Sequence, residues 1–320
     1  MQWEDRIGRR IKFRDLHIAL AVAQSGSMLK AAEVLAISQP VVSKVIADLE
    51  QALGVRLFDR SRKGVEPTAS GRALLNRGRA AFDELNLGVK EIEYLNDPTT
   101  GELRIGSSPA LSEGIVFAIV DRLSRQYPRV VIQVALGGTQ AQFDELRERR
   151  IDLGFARMPG SVPPEDMDQE VLFEDPLVVV AGMKNPWARR RKIELAELID
   201  EPWILSPPDT TNYRAIIGAF RAQGLAAPRI GLKTLSTHLR ANLVGSGKFI
   251  APFPNTVFSF YAERFALKAL PIALPIWPWP VVILTLKNRT LSPVVQSFLD
   301  HLRNFFASSA REGERRKRGT

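Results

Sequence analysis

From Thr68 to Leu95 the chain runs for 28 residues without a proline. Within that stretch Leu75, Gly78, Phe82, Leu85, Val89 and Ile92 recur at alternating steps of three and four. A seam of period 3.5 over nearly three heptads belongs to one long helix, roughly 40 Å at 1.5 Å per residue. Such a helix needs a partner, either its own copy in a dimer or the surface of its own domain. It also separates two differently patterned regions, so the predicted divisions are 1–67, 68–97, 98–310 and a basic, disordered tail over 311–320.

The region before the helix reads as three short helices and a hairpin. Leu16, Ile18, Leu20 and Val22 with intervening alanines suit a short buried helix, which Gly26 breaks. Residues 29–35 form a second helix, and Ala36-Ile37-Ser38 a turn. Ser38 is a candidate N-cap, and Pro40 falls in the first turn of a third helix, where a missing N–H costs nothing. Val42, Ile46 and Leu49 share its buried face, and Gly54 closes it. Val55 to Arg60 reads as a strand, Ser61-Arg62-Lys63-Gly64 as a basic turn, and Val65 to Thr68 as a second short strand. Three short helices with a wing form a DNA-binding unit.

Charge agrees with that assignment. The net charge is +9, and residues 1–65 carry 11 Lys and Arg against 7 Asp and Glu, residues 311–320 carry 5 against 2, and the long middle 28 against 26. A basic module beside a near-neutral body suits a protein with one face toward a polyanion, and solubility charge is the alternative. The chain has no cysteine, which excludes thiol catalysis, disulfides and cysteine-based zinc sites. No apolar run approaches the ~20 residues of a membrane span, and no signal peptide is read at the start. A cytoplasmic protein is expected.

Past the polar hinge Asn96 to Gly101, strands and helices alternate, the signal of a parallel-type α/β sheet. Strands are predicted over 102–106, 130–136 and 151–156, with helices over 111–127 and 139–150; Thr139-x-x-Gln142 reads as a capping box. The second half alternates in the same way, with strand 177–182, helix 193–199, strand 203–205 and helix 212–223. Val281 to Leu286 returns as a strand and Pro293 to Phe306 is the last amphipathic helix.

Residues 13–71 closely resemble the N-terminal domain of LysR-type transcriptional regulators. The likeness rests on Ala31-Ala32, Ser38-Gln39-Pro40-Val41-Val42-Ser43-Lys44, Leu49-Glu50, Leu53 to Arg60, and Thr68-Ala69-Ser70-Gly71. It continues more weakly through Gly101 to Gly106, Tyr127-Pro128, Ile151-Asp152-Leu153 and Val244-Gly245-Ser246-Gly247. The resemblance implies a winged helix-turn-helix, a linker helix, and a two-lobed α/β sensor domain like periplasmic binding proteins. It further implies linker-helix dimers, often tetramers, and a small-molecule effector between the lobes. Expected partners are thus double-stranded promoter DNA, an organic acid or sugar, further copies of the chain and RNA polymerase, with no membrane and no cofactor.

The expected base-reading end of the third helix holds Ser38, Gln39, Pro40, Ser43 and Lys44. Gln39 can pair bidentately with adenine, Ser43 can reach a base edge or phosphate, Pro40 offers an apolar face to a thymine methyl, and Lys44 suits phosphate. Val45 stands where many relatives carry a polar residue. Arg60, Arg62 and Lys63 of the wing suit backbone phosphates or the minor groove, with Asp59 or a helix terminus as Arg60's alternative partner. The tail arginines are read as solubilising, with non-specific DNA affinity as the alternative. For the effector, strand ends present Ser107, Ser108, Thr139, Arg157, Ser206, Ser236 and Thr237, hydroxyls and amides suited to an anionic or polyhydroxylated ligand. Arg157 either clamps a carboxylate or forms an ion pair at the lobe hinge.

An enzyme is not expected. The only histidines are His17, His238 and His301, and none follows a Gly-x-Ser-x-Gly elbow. Gly245-Ser246-Gly247-Lys248 fails as a phosphate loop, because Asn242 and Phe249 replace the required Gly and Ser/Thr.

Overall fold

The computed structural model describes residues 11–61, 64–158, 162–276 and 278–318. The chain divides into two compact units, residues 1–90 and 91–320.

The first unit packs α1 (Phe13–Ser25), α2 (Met28–Val34) and α3 (Gln39–Leu53) around Ile18, Val22, Ala31, Val42, Ile46 and Leu49. Ser27 caps α2, its hydroxyl accepting from the Lys30 amide. Strands β1 (Phe58–Ser61) and β2 (Gly64–Pro67) pair antiparallel with Arg60 opposite Val65. The first strand starts at Phe58 rather than Val55. Glu50 accounts for the delay: its carboxylate accepts the amides of Leu57 at 2.7 Å and Phe58 at 3.2 Å, holding that stretch against α3. The wing is also tied to α1, since the Val65 amide donates to the Gly26 carbonyl at 2.9 Å.

Helix α4 (Ala69–Asn96) follows. Thr68 starts it, accepting the Gly71 amide and donating its hydroxyl to the Arg56 carbonyl. The predicted seam is divided. Leu75 is 3% exposed, and Phe82 meets Phe13 edge-on at 5.4 Å. Leu85, Val89 and Ile92 are 55%, 55% and 61% exposed. The first half therefore packs on its own domain and the second half has no cover within the chain's described residues.

The second unit has two lobes. In lobe I, β3 (Thr100–Ser107), β4 (Arg129–Leu136) and β5 (Leu153–Arg157) are parallel, while β6 (Met167–Asp175) and β12 (Trp279–Leu286) complete the order β4-β3-β5-β12-β6. In lobe II, β7 (Leu177–Gly182), β8 (Trp203–Leu205), β9 (Ile230–Lys233), β10 (Ile250–Pro254) and β11 (Leu267–Ala269) take the order β11-β7-β10-β8-β9. Both sheets are mixed, not parallel. The chain leaves lobe I at Asp175 and re-enters at Trp279, so β12 runs antiparallel to both β5 and β6. Strand β7 likewise runs antiparallel to β10 and β11.

Lobe I carries α5 (Pro109–Leu111), a π-helical turn Ser112–Val116, α6 (Phe117–Gln126) and α7 (Thr139–Arg147); lobe II carries α8 (Thr211–Ala222), α9 (Thr237–Gly245) and α10 (Asn255–Tyr261). The helix expected over 193–199 is only a 3-10 turn, Leu195–Leu198. Helix α11 (Pro293–Arg318) continues well past Phe306, so the tail expected to be disordered is helical as far as Arg318. The segment 307–318 has no proline and one glycine, which lets a helix already anchored by Val295, Phe298, Leu299 and Leu302 run on.

Candidate functional site

In the first unit, the turn 36–38 delivers the chain into α3. Ala36 takes the left-handed conformation with φ +53°, which reverses direction between α2 and α3 within three residues. Ser38 is the N-cap in extended geometry, yet its hydroxyl makes no capping bond, and Pro40 lies in the first turn. Ser38, Gln39, Pro40 and Lys44 are exposed together at this end. Ser43 differs: it is half-buried, and its hydroxyl donates to the Met28 sulfur at 3.3 Å. Its hydroxyl is turned toward α2. Val45 packs against the domain core, which explains why an apolar side chain is tolerated there. Arg60 is exposed on β1. Arg62 and Lys63 lie outside the described residues.

In the second unit, β3, β4 and β5 are parallel, so their carboxyl ends share one edge of lobe I. Strands β8, β9 and β10 place theirs on one edge of lobe II. Ser107 is fully buried, and its hydroxyl is used locally, donating to the Ser108 carbonyl. Ser108 caps α5, accepting the Leu111 amide at 3.4 Å. Thr139 does not form the expected capping box: Gly138, in extended geometry, is the N-cap, and Thr139 is the first helical residue. Gln142 instead turns inward and donates to the Gly137 carbonyl. In lobe II, Ser236 caps α9 through the Leu239 amide at 3.2 Å, Thr237 is buried in its first turn, and Ser206 is buried just beyond β8.

Arg157 occupies the hinge. Its Nη2 is paired with the Asp175 carboxylate, the second of the two arrangements expected for it. Burial pulls the guanidinium below its ordinary value, with the Asp175 charge opposing that. Its Nε has no acceptor among the described residues. Asp175 also accepts the amide and hydroxyl of Thr256 from α10, so one carboxylate joins both lobes.

Two groups have no signal in the sequence. Glu113, in the π-helical turn of lobe I, accepts the hydroxyl of Tyr261 from lobe II at 2.7 Å. Burial and that bond push the Tyr261 phenol above its ordinary range. Arg240, on α9, is buried and donates to Ser206 and to the carbonyls of Thr234 and Pro252. No motif points to either, because their partners lie 34 to 148 residues away for every bond except two local ones.

The three histidines are on different elements, with His17 against Phe82, His238 against Phe265 and His301 against Tyr127. Among the described residues no cluster of His, Asp and Glu could hold a metal ion, and no helix is long and apolar enough to cross a membrane.

Residues 13–72 match the family described as bacterial regulatory helix-turn-helix protein, lysR family, and residues 96–307 match the LysR substrate binding domain. The HTH-type transcriptional regulator YnfL of Escherichia coli K12 is 30% identical over 305 residues, covering 92% of this chain and 98% of that protein. GbpR of Azospirillum brasilense, also an HTH-type transcriptional regulator, is 28% identical over 295 residues, covering 92% and 86%. Full-length CbnR, in the crystal structure of its complex with target DNA, shares the fold with a TM-score of 0.53 at 22% identity, covering 92% of this chain and 100% of that one.

Proposed function

Since this chain belongs to the LysR family of DNA-binding transcriptional regulators, we propose that it binds a specific operator as a linker-helix dimer and changes its activity when a small molecule enters between the two lobes. The observation that supports this best is the hinge. Asp175 ends the strand that leaves lobe I and is bonded to α10 of lobe II, so lobe closure and the geometry of this carboxylate are coupled.

At the DNA, Gln39 reads a base edge, Pro40 offers its ring to a thymine methyl, and Ser38, Lys44 and Arg60 hold phosphates. Arg62 and Lys63 belong to the same wing by sequence. Ser43 contributes less, because its hydroxyl already has an acceptor. The exposed stripe Leu85, Val89 and Ile92 is the dimer seam; burying three such side chains contributes several kcal/mol, at about 1.5–3 kcal/mol each.

Between the lobes, Ser108, Ser206, Ser236 and Thr237 line the strand ends and helix starts that face the effector. Arg157 keeps one unpaired N–H for it while its pair with Asp175 sets the hinge. An effector acts only through different affinity for the open and closed arrangements.

The test is a thermal-shift screen of the full-length protein with organic acids, aromatic acids and sugars, followed by operator binding with and without each hit. A ligand at 100 times its dissociation constant adds about 2.7 kcal/mol. A hit that also moves operator affinity or footprint supports the reading. Hits that leave DNA binding unchanged count against an effector-controlled regulator.

A further inference from the structure

Lobe II buries a cation that has no counter-ion. Arg240, in the first turn of α9, is 4% exposed. Its Nη1 donates to the Pro252 carbonyl at 3.2 Å, and its Nη2 to the Thr234 carbonyl at 2.9 Å and the Ser206 hydroxyl oxygen at 3.0 Å. The guanidinium lies 5.6 Å from the centre of the Phe253 ring. All of these partners are neutral, and its Nε has no acceptor among the described residues. A buried charge ordinarily comes with an opposite one.

Burial pulls the Arg240 guanidinium down to about 10, which leaves it charged at neutral pH. Glu113 of lobe I opposes that fall through its charge, so the cation faces the other lobe. Glu113 nonetheless makes its hydrogen bond with Tyr261, not with Arg240.

The position of Ser206 turns this charge outward. Arg240 donates into one lone pair of the Ser206 oxygen, and the hydrogen of that hydroxyl has no acceptor among the described residues. An N–H bond from a cation polarises the hydroxyl and strengthens it as a donor. Beside it stands the N-terminus of α9, where Ser236 is the cap and the first amides lack intrahelical partners.

We propose that lobe II receives the negatively charged end of the effector, a carboxylate or similar oxyanion, at the Ser206 hydroxyl and the first turn of α9, with Arg240 as the positioning residue that orients Ser206 and selects an anion over a neutral polyol. This rests on the reading that the effector sits between the lobes, and it narrows the two chemical classes expected there to one. A neutral polyol brings hydroxyls for Ser206 but no charge for Arg240.

The experiment uses the full-length protein and inorganic sulfate as the probe. Melting temperature is followed against sodium sulfate, at ionic strength held constant with sodium chloride, for the wild type, Arg240→Gln, Arg240→Lys and Ser206→Ala. Circular dichroism checks that each variant folds; Ser206→Ala keeps Arg240 and covers the case in which Arg240→Gln does not. The expected result is a saturable sulfate response in the wild type, weakened about tenfold or more in Ser206→Ala and Arg240→Gln. Arg240→Lys recovers part of it, which a purely structural arginine would not give. Superimposable sulfate curves for the wild type and all variants would overturn the proposal. So would a neutral polyol, arabinitol for example, that stabilises the wild type and Arg240→Gln alike while sulfate does nothing; that result would leave the interlobe effector site standing. Conversely, a sulfate response lost in the variants, with operator binding indifferent to every ligand, keeps the anion site and removes the regulatory reading.

Discussion

Asp175 and Thr256 are joined twice across the two lobes: the Thr256 amide donates to Oδ1 at 3.1 Å and its hydroxyl to Oδ2 at 2.6 Å. Oδ2 also receives Arg157, so the carboxylate is the common acceptor of both lobes at the point where the chain crosses. Removing it strands a buried guanidinium. Asp175→Ala is expected to cost about 3–5 kcal/mol, the loss found when one partner of a buried pair is deleted. Thr256→Val, which leaves the ion pair intact, costs about 1 kcal/mol. Urea unfolding of the full chain checks both, and equal stabilities for the two variants would show that the Arg157 charge is neutralised some other way.

Gly71 fixes how the wing sits on the start of α4. A Cβ there would lie 2.0 Å from the carbonyl oxygen of Leu57, a backbone atom that cannot turn aside. Gly71→Ala is therefore expected to cost about 3 kcal/mol or more and to abolish operator binding. Gly218 is the control: it lies inside α8 with nothing within 4 Å of its would-be Cβ, so Gly218→Ala should stabilise by about 0.5–1 kcal/mol. Thermal unfolding of both variants reads the difference.

These two cases mark what sequence alone could reveal. Thr68-Ala69-Ser70-Gly71 is visible as a local pattern, and the reason for its glycine is a contact with Leu57, only 14 residues back. The three helices, the long helix and the first strands of each lobe are legible in the same way, because periodicity and capping are local. What is not legible is set by long-range closure. No periodicity shows that β12 returns antiparallel between β5 and β6, or that β6 exists at all, since Met167 to Asp175 alternates only loosely in burial. Arg157 can be placed at a strand end but its partner cannot. Arg240 and Glu113 sit in helical turns as ordinary charged residues, and only the approach of other segments buries the one and bonds the other to Tyr261.

The divided seam of α4 predicts a divided response to mutation. Leu75→Ala removes a side chain from the core of the first unit and is expected to destabilise it by about 2–5 kcal/mol. Val89→Glu touches no core and should leave melting of the dilute protein nearly unchanged, while charging the uncovered stripe. Sedimentation velocity should then show smaller assemblies for Val89→Glu, with weaker binding to a two-half-site operator. An unchanged oligomer would assign that stripe another occupant.

Acid sensitivity follows from two carboxylates of lobe I. The Arg147 guanidinium, through its hydrogen bonds, holds Asp166 below the ordinary value of 3.8, and Arg150 holds Glu145 below 4.5 in the same way. The unfolded chain thus binds protons at higher pH than the native one. Each pair's contribution is complete above those ordinary values and is lost as pH falls through the lowered ones. Both pairs are well exposed, so each is worth under about 1 kcal/mol and is screened by salt. The stability difference between wild type and Arg147→Met should be full at pH 7, shrink as pH drops below 3.8, and be smaller in 1 M salt. A difference that persists unchanged at low pH would mean Arg147 stabilises by packing alone.

The exposed group at the start of α3 separates positioning from reading. Lys44 and Arg60 carry charge and Gln39 does not, so the three should fail differently. If Lys44 and Arg60 each neutralise a phosphate, Lys44→Ala and Arg60→Ala lower the slope of log K against log salt by about 0.9 each and weaken all duplexes alike. Gln39→Ala leaves the slope unchanged and costs about 1–3 kcal/mol on the operator only, relaxing preference at one base pair. Fluorescence anisotropy on the operator and on a scrambled duplex, at several salt concentrations, distinguishes the two patterns. Ser43→Ala is the sharpest internal check. Its hydroxyl donates to Met28, so the substitution should barely change operator affinity; a loss as large as that of Gln39→Ala would mean the hydroxyl leaves Met28 when DNA arrives.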